Sequence, residues 1–442
     1  MKIRTGIILT LAILITGTAM GQNQKPLSLP DAISLGIKNS HTLAGSQAKI
    51  EEATAALREA VERKLPDVKL SGSYLRLNTA NFDLKSKDNS GGSGSGESPK
   101  VSQAMYGIVN ASLPIYSGGK IKYGIESSRY LAEAAKLDAD NDREEVVQNI
   151  IEAYINLYKA KTAVELVKEN LQQAEARVKD FTNLEKNGLL ARNELLKAEL
   201  QASNTELTLL DVQNNWQLAN VNMDLMLGLP EQTEIVPDST VLDQAIAPKA
   251  LEEYVTAAMT NRKDMAALDL HKKSAQSGVK STKAELYPSL ALTGGYIAAD
   301  IPNVFSVTNA LNIGVGVSYN IGSLWKNKSK VQQAEARVKQ LTANEAILND
   351  QVRLQVNKGY LDLLSSQKKV EVNAKAVEQA NENYRITKNK YNNALATTTD
   401  LLDADVAQLQ AKLNYVFSKA DAVVAYNKLL QVAGLTEFNT NK

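Results

Sequence analysis

The chain has 442 residues, with 50 lysines and arginines against 49 aspartates and glutamates, for a formal net charge of +1. Such a balance creates no field that would draw in nucleic acid or an acidic surface. There is no cysteine, which excludes disulfides, thiolate metal sites, a cysteine nucleophile and lipid attachment at an N-terminal cysteine.

At the N-terminus Lys2 and Arg4 precede the apolar run GIILTLAILI, and Ala19-Met20-Gly21 places small residues at the −3 and −1 positions of a cleavage site. Residues 1–21 therefore read as a secretory signal peptide. The run is too short to span a bilayer comfortably, and no later apolar run approaches the ~18 residues that a transmembrane helix needs. The mature chain is expected to be exported without a spanning helix.

The rest reads as a tandem duplication. A shift of 222 residues places Leu29 on Leu251, Asn39 on Asn261, Pro66 on Pro288 and Tyr74 on Tyr296. A shift of 206 then matches Tyr154 with Tyr360, Asn187 with Asn393, Leu195-Leu196 with Leu401-Leu402 and Gly228-Leu229 with Gly434-Leu435. The change of offset assigns about 16 extra residues to the first copy, at KSKDNSGGSGSGESPK, whose Gly/Ser-rich polarity predicts a mobile loop. The octapeptide QQAEARVK, at 172–179 and again at 332–339, fits neither shift and reads as two coil segments of like composition.

In chain order the first repeat, 22–230, has a short helix ending near Asn39 and a second running towards Pro66. A hairpin over about 67–116 follows, with strands near 67–77 and 104–116. Coiled-coil helices then fill about 118–227, the first of them about 70 residues long. A linker, 231–248, leads to the second repeat, 249–435. Its hairpin covers about 289–321, with strands near 289–299 and 310–321, and its coiled-coil helices run over about 324–434. Residues 436–442 form a tail. The long helices carry a seam every seven residues, at Ile150, Leu157, Val164, Leu171 and Val178, and again at Val356, Leu363, Val370, Val377 and Tyr384. A stripe held that long implies coiled-coil packing. At ~1.5 Å per residue each long helix reaches on the order of 100 Å, a length that suits a tube better than a globular core.

The last strand alternates strictly. Leu311, Ile313, Val315, Val317, Tyr319 and Ile321 fall on one face, and Asn312, Gly314, Gly316, Ser318 and Asn320 on the other. In the first copy Met105, Gly107, Val109, Ala111, Leu113 and Ile115 share a face. Tyr74, Tyr106, Tyr116, Tyr296, Tyr319 and Trp325 lie near strand ends, where interfacial aromatics belong. Four strands cannot close a membrane barrel, and an open edge is intolerable in lipid. Copies of the chain would have to share strands: two give eight, three twelve, four sixteen. The other reading of the strands is a small antiparallel sheet capping a coiled coil.

With a signal peptide, a duplicated helix–hairpin–helix unit, LPIYSGG at 113–119 and the breaks NGLLARNELL and YNNALATTTDLLDA, the chain resembles the TolC-like outer-membrane ducts over essentially its whole mature length. The resemblance implies a mainly α fold with a small β part. It implies a homotrimer whose α-helical tunnel crosses the periplasm beneath a shared twelve-stranded β-barrel in outer-membrane lipid. It also implies partners, a periplasmic adaptor (membrane fusion) protein and an inner-membrane pump, and a passive exit duct for drugs, metals or proteins.

Two sites carry over by position. The adaptor-docking tip falls on Asn187, Gly188 and Leu189, and in the second copy on Asn393, Ala394 and Leu395, where alanine replaces the glycine. The periplasmic gate falls on Asp400 and Asp403, with Tyr391 matching a locking tyrosine and Glu194 standing for its acidic partner. Ala396 takes the place of an arginine of that lock. Independently of the resemblance, Asp400 and Asp403 share a helical face, and copies around an axis would gather carboxylates that attract cations. Asp400 also follows three threonines, so it equally reads as part of a helix cap.

No nucleophile elbow, phosphate loop or metal-ligand cluster is seen, and neither a cofactor nor an enzymatic role is expected. His41 and His271 read as helix-surface residues, as do the pairs Glu144-Glu145 and Glu252-Glu253. The alternative function is a trimeric coiled-coil stalk or adhesin without a pore.

Overall fold

The computed structural model describes residues 24–81, 100–243, 246–302 and 305–436. The signal peptide, the Gly/Ser-rich stretch apart from Lys100, and all but the first residue of the tail lie outside the described residues. The chain divides into two compact units that interleave in sequence. A helical unit contains residues up to Gln47, Ala139–Lys263 and Leu348 onward, and a sheet unit contains Ala48–Asp138 and Asp264–Ile347.

In chain order the elements are β1 (Gln24–Leu27), α1 (Leu29–Asn39), α2 (His41–Glu62), β2 (Asp67–Asn81), β3 (Lys100–Tyr116), α3 (Lys120–Lys186), α4 (Arg192–Leu227) and β4 (Glu234–Pro237). After a 3-10 turn at Ser239–Asp243 come α5 (Leu251–Asn261), α6 (Lys263–Ala284), β5 (Ser289–Ile301), β6 (Phe305–Ser318), α7 (Ser323–Asn392) and α8 (Thr398–Val432). The starts of α5 and α6 are those of α1 and α2 moved by 222 residues, and the start of α8 is that of α4 moved by 206. The helices α3 and α7 have 67 and 70 residues, which makes each about 100 Å long. Among the described residues no helix is long and apolar enough to cross a membrane.

Among the described residues the sheet unit is built on four antiparallel strands in the order β2-β3-β5-β6, with β2 and β6 at its edges. Residues paired across the ladder share a face. One face carries the rows Leu70-Val109-Tyr296-Leu311 and Val68-Ala111-Gly294-Ile313, followed by Leu113-Leu292-Val315. The opposite face carries Lys69-Asn110-Gly295-Asn312 and Asp67-Ser112-Thr293-Gly314. The apolar face lies open: Leu311 and Ile313 are each 81% exposed. All four strands run further than the alternation alone suggests at the ends joined by 82–99 and 302–304.

At the other end of the strands Gly118 has φ +64°, and a Cβ there would sit 2.6 Å from the Ala284 carbonyl oxygen. Glycine in SGG is thus required twice, for the backbone angle and for the close approach. Glu285, just beyond α6, accepts from Lys120 of α3 at 2.9 Å and from Lys330 of α7 at 2.8 Å. These two bonds hold its carboxyl below the usual range, Lys330 more than Lys120.

The core of the helical unit gathers Ile33 of α1, Ile150, Ile151, Ile155 and Leu157 of α3, Met223 and Leu227 of α4, and Val423 of α8. Sequence reading finds neither β1 nor β4, which pair in parallel from Gln24/Glu234 to Leu27/Pro237. Four residues are too few to show a period. The pair is held by side chains instead. The hydroxyl of fully buried Tyr154 donates to the Leu27 carbonyl at 2.8 Å and accepts from the Asp238 N–H at 2.7 Å. Burial pushes that phenol up to about 12. Asn220 of α4 receives the Ile235 N–H at 2.9 Å and donates to the Thr233 carbonyl at 2.7 Å. Such bonds satisfy the backbone of a segment that has only one neighbouring strand.

Candidate functional site at the helical tip

The tip of the helical unit consists of two five-residue turns, 187–191 between α3 and α4 and 393–397 between α7 and α8. Both helices end in the same motif. In the first turn Gly188 donates to Glu185 at 2.8 Å and Leu189 to Leu184 at 2.9 Å. In the second, Ala394 donates to Tyr391 at 2.9 Å and Leu395 to Lys390 at 2.8 Å. This is the Schellman arrangement, which needs a left-handed residue at the position that donates the inner bond. Gly188 has φ +72° and Ala394 has φ +58°. Ala394, which stands where the first turn has Gly188, therefore adopts the glycine's backbone, at a cost of about 1–2 kcal/mol.

The motif turns the next side chain outward. Leu189 is 74% and Leu395 76% exposed, and Asn187 and Asn393 flank them on the surface. Behind the turns Phe181, Leu195 and Ala198 form a small buried cluster. Tyr391 covers it, its ring stacked on Phe181 with centroids 5.7 Å apart.

The start of α8 is a full capping box. Asp400 Oδ2 accepts from the Thr397 N–H at 2.9 Å, and Thr397 Oγ1 accepts from the Asp400 N–H at 3.1 Å. The Thr397 hydroxyl, then the Thr397 N–H, hold the Asp400 carboxyl below the usual range. The capping role read from the sequence is thus in place, and it occupies one oxygen of an exposed side chain. Asp403 lies exposed one turn later.

Glu194 accepts from Lys197 and from Asn193, both at 3.0 Å. A hydrogen bond from Thr398 is the foremost cause of its lowered carboxyl, followed by that from Lys197. Glu194 thereby ties the first turn of α4 to the first turn of α8, and Lys197 reaches Thr399 at 3.4 Å. Among the described residues no hydrogen bond joins Tyr391 to Glu194. The structure brings Asp400, Glu194 and the two threonines Thr397 and Thr398 to one end of the unit, while Tyr391 belongs to the apolar cluster.

A neighbouring network escapes sequence reading. Arg177 of α3 donates to Asp405 of α8 at 3.0 Å and to the Tyr384 hydroxyl of α7 at 3.2 Å. Asn170 of α3 donates to the other oxygen of Asp405 at 3.3 Å. The side chains of Arg177 and Asp405 are only 9% and 2% exposed. The pair fastens three helices together just behind the tip. Tyr384 marks the heptad seam, but nothing in the order of residues distinguishes Arg177. It lies in the repeated octapeptide, whose second copy presents Arg337 on the surface.

Neither histidine takes part in this region. His41 opens α2, and His271 of α6 faces Asp138 at 3.3 Å on a half-exposed surface.

The description "Outer membrane efflux protein" belongs to the family model that matches residues 32–229 and 255–435, most of both halves. The pyoverdine export outer membrane protein OpmQ of Pseudomonas putida is 25% identical over 269 residues, covering 60% of this chain and 55% of OpmQ. The outer membrane efflux protein BepC of Brucella suis is 20% identical over 433 residues, covering 96% of this chain and 89% of BepC. In fold the chain is similar to the outer membrane protein VceC of Vibrio cholerae, with a TM-score of 0.76 at 18% identity over 92% of this chain and 96% of that one. With a helical scaffold, a four-stranded sheet greasy on one face and the family match across both halves, this chain belongs to the outer membrane efflux protein family.

Proposed function

We propose that this outer-membrane protein works as a homotrimeric exit duct, with three sheets joined edge to edge into a twelve-stranded barrel. The observation that carries the reading is the sheet itself, apolar and open on one face, small and polar on the other, with two edges unpaired among the described residues. In water, leaving Leu70, Leu311, Ile313, Val315 and Val317 uncovered forgoes roughly 1.5–3 kcal/mol for each. That sum rivals the whole stability of a typical domain. Lipid removes the penalty, and the edge donors and acceptors then require strands from other copies. Because β2 and β6 run antiparallel across the order β2-β3-β5-β6, β6 of one copy can join β2 of the next without breaking the alternation. Asn312, Gly314, Gly316 and Ser318 would face the lumen.

On this reading residues 22–230 and 249–435 are copies of one ancestral unit, which the matching helix lengths support. The chain does no chemistry. An inner-membrane pump supplies the cargo, and a periplasmic adaptor docks on Asn187, Gly188, Leu189, Asn393, Ala394 and Leu395, where two exposed leucines offer apolar knobs. Asp400 and Asp403, three copies of each, ring the entrance and concentrate cations. Glu194 and Tyr391 hold the tip helices beside them.

The test combines fractionation, gel and conductance. The protein is expected in outer membranes, as a trimer that survives SDS until heated, and as ion-conducting pores in a planar bilayer. A trimer without conductance would leave a stalk and overturn the duct. Asp400→Asn with Asp403→Asn is expected to weaken block by divalent cations, and an unchanged block would remove the gate assignment.

A further inference from the structure

Where the sheet meets its helices, all four connections carry the same order of residues. Leu65 before β2, Tyr116 at the end of β3, Tyr287 before β5 and Trp325 near the start of α7 are all exposed. Basic residues follow in each case, further from the strand: Arg63 and Lys64, Lys120 and Lys122, Lys280 and Lys283, Lys326 and Lys328. In the eleven residues that adjoin each strand at this end, nine basic residues stand against four acidic, and all nine are exposed. The opposite end has no such excess, since by sequence 76–103 and 296–308 hold four of each sign. In a chain of net charge +1 the basic collar is a local feature.

Part of this charge is used within the fold. Lys120 reaches Glu285 and Lys283 reaches Glu335, both at 2.9 Å. Among the described residues no carboxylate pairs with Lys122, Lys280, Lys326 or Lys328. Lys122 of α3 and Lys280 of α6 both lie by the Tyr123 ring, 5.9 and 5.7 Å from its centroid. Two like charges are thus gathered at one ring without an anion. On α7, Leu324 and Trp325 stand four and three residues before Lys328, so they share its side of the helix one turn nearer the sheet. A lysine placed in this way lays its stem along apolar surface and carries its ammonium group away from it.

We propose that this collar binds the phosphate groups of anionic phospholipids, of the phosphatidylglycerol type, in the leaflet from which the helices emerge. This rests on the membrane-barrel reading above and names the lipid that its rim takes. Acyl chains cover the apolar face of the sheet, and aromatic rings belong at the boundary between those chains and the headgroups. Ammonium groups about one turn beyond the rings then lie at the depth of the phosphates. Basic residues clustered there draw in anionic lipid, an attraction that salt screens. A zwitterionic headgroup brings its own cation beside its phosphate and gains less. The collar therefore discriminates between lipids by net charge.

The test uses the full-length protein reconstituted in phosphatidylcholine vesicles that contain a trace of spin-labelled phosphatidylglycerol or spin-labelled phosphatidylcholine. The protein is expected to immobilise the phosphatidylglycerol label severalfold more strongly, and high salt should shrink the difference. Lys122→Gln, Lys280→Gln, Lys326→Gln and Lys328→Gln together should abolish the preference, while arginine at the same four positions should keep it. Arg76→Gln with Lys100→Gln, at the opposite end of the sheet, should leave it unchanged. If the two labels are immobilised equally although the pores conduct, the collar is wrong and the duct stands. If the preference survives the four glutamines, the lysines face the lumen or another copy and the collar is equally wrong. If inorganic phosphate displaces the label more than chloride of equal ionic strength does, the ligand is free phosphate and the lipid assignment falls. If the protein does not enter the vesicles at all, the barrel reading beneath the collar fails as well.

Discussion

The two hairpins of the helical unit, α3–α4 and α7–α8, end in the same backbone turn but reach it with different residues. The first has Gly188 at the left-handed position and no side-chain cap on α4, whose N-cap is Ala191. The second has strained Ala394 and then the Thr397–Asp400 capping box. One turn is relaxed in its exit and bare at its entry, and the other is the reverse. The turn geometry is therefore set by the hydrogen-bond pattern that closes the helix, and the two sequences distribute the local cost differently.

The largest expected effect comes from the pair that fastens the hairpins to each other. Arg177→Met leaves Asp405 buried without its partner and should destabilise the helical unit by about 3–5 kcal/mol. Arg177→Met with Asp405→Leu should recover most of that loss, because no unpaired charge remains. The midpoint of guanidinium unfolding of the detergent-solubilised protein checks both. If the single change is as mild as the double one, the two hairpins do not depend on this ion pair.

Next in size is a difference at the far ends of α4 and α8. Asp224 of α4 matches Leu430 of α8 at the 206-residue shift. Asp224 is fully buried, accepts from Asn220 at 3.0 Å through one oxygen, and its Oδ1 has no hydrogen-bond partner among the described residues. Burial first, and Glu231 second, push its carboxyl up to about 6 from 3.8. A carboxyl whose folded pKa is raised binds its proton more tightly in the folded state. Its penalty is absent below about pH 4, grows as pH rises towards 6 and is complete above. Asp224→Asn is expected to stabilise by about 2 kcal/mol at pH 7, an advantage that fades between pH 6 and 4. Unfolding midpoints at pH 4, 5, 6 and 7 would show it, and a gain independent of pH would mean that the charge is not the cause.

About 1 kcal/mol is expected from exchanging the exits. Ala394→Gly should stabilise the second turn and Gly188→Ala should destabilise the first by a like amount, since only the left-handed backbone differs. A Cβ on Gly188 would meet nothing within 4 Å, so no clash confuses the comparison. Denaturant midpoints that move in opposite directions support the account, and a shift of the same sign in both would break it.

Much of this architecture was legible before any coordinates. Helix bounds could be read to within a few residues because Pro66, Pro288 and the Asn-Gly and Asn-Ala turns punctuate strong heptads, and the faces of β6 because its alternation is strict. The two turns could be read from Asn187-Gly188 and Asn393-Ala394, whereas their docking and gating roles came only from the resemblance. Arg177 and Asp405 did not, because burial of a charge depends on which helices meet across the unit, and the same octapeptide buries one arginine and exposes the other. The β1–β4 pair was invisible for a similar reason: its bonds come from Tyr154 and Asn220, far away in sequence. Nor could periodicity tell that Tyr391 rests on Phe181 instead of bonding Glu194.

The entries to α4 and α8 give the smallest and most specific prediction. Ala191 and Glu194 stand where Thr397 and Asp400 stand in the second hairpin, so the first already holds half of a capping box. Ala191→Thr should complete it, with the new hydroxyl accepting from the Glu194 N–H and the Glu194 carboxylate turning back to residue 191. The gain expected is about 0.5–1 kcal/mol, and Thr397→Ala should lose about 1 kcal/mol from the second hairpin. There is a counter-effect that makes the experiment informative. Glu194 now accepts from Thr398, and this bond is the foremost cause of its lowered pKa. Turning the carboxylate back to its own helix would release α8, so a more stable α4 should come with a looser tie between the hairpins. Faster proteolysis at 393–397 beside an unchanged or raised unfolding midpoint is the expected signature. If both turns become more resistant together, Glu194 serves cap and tie at once.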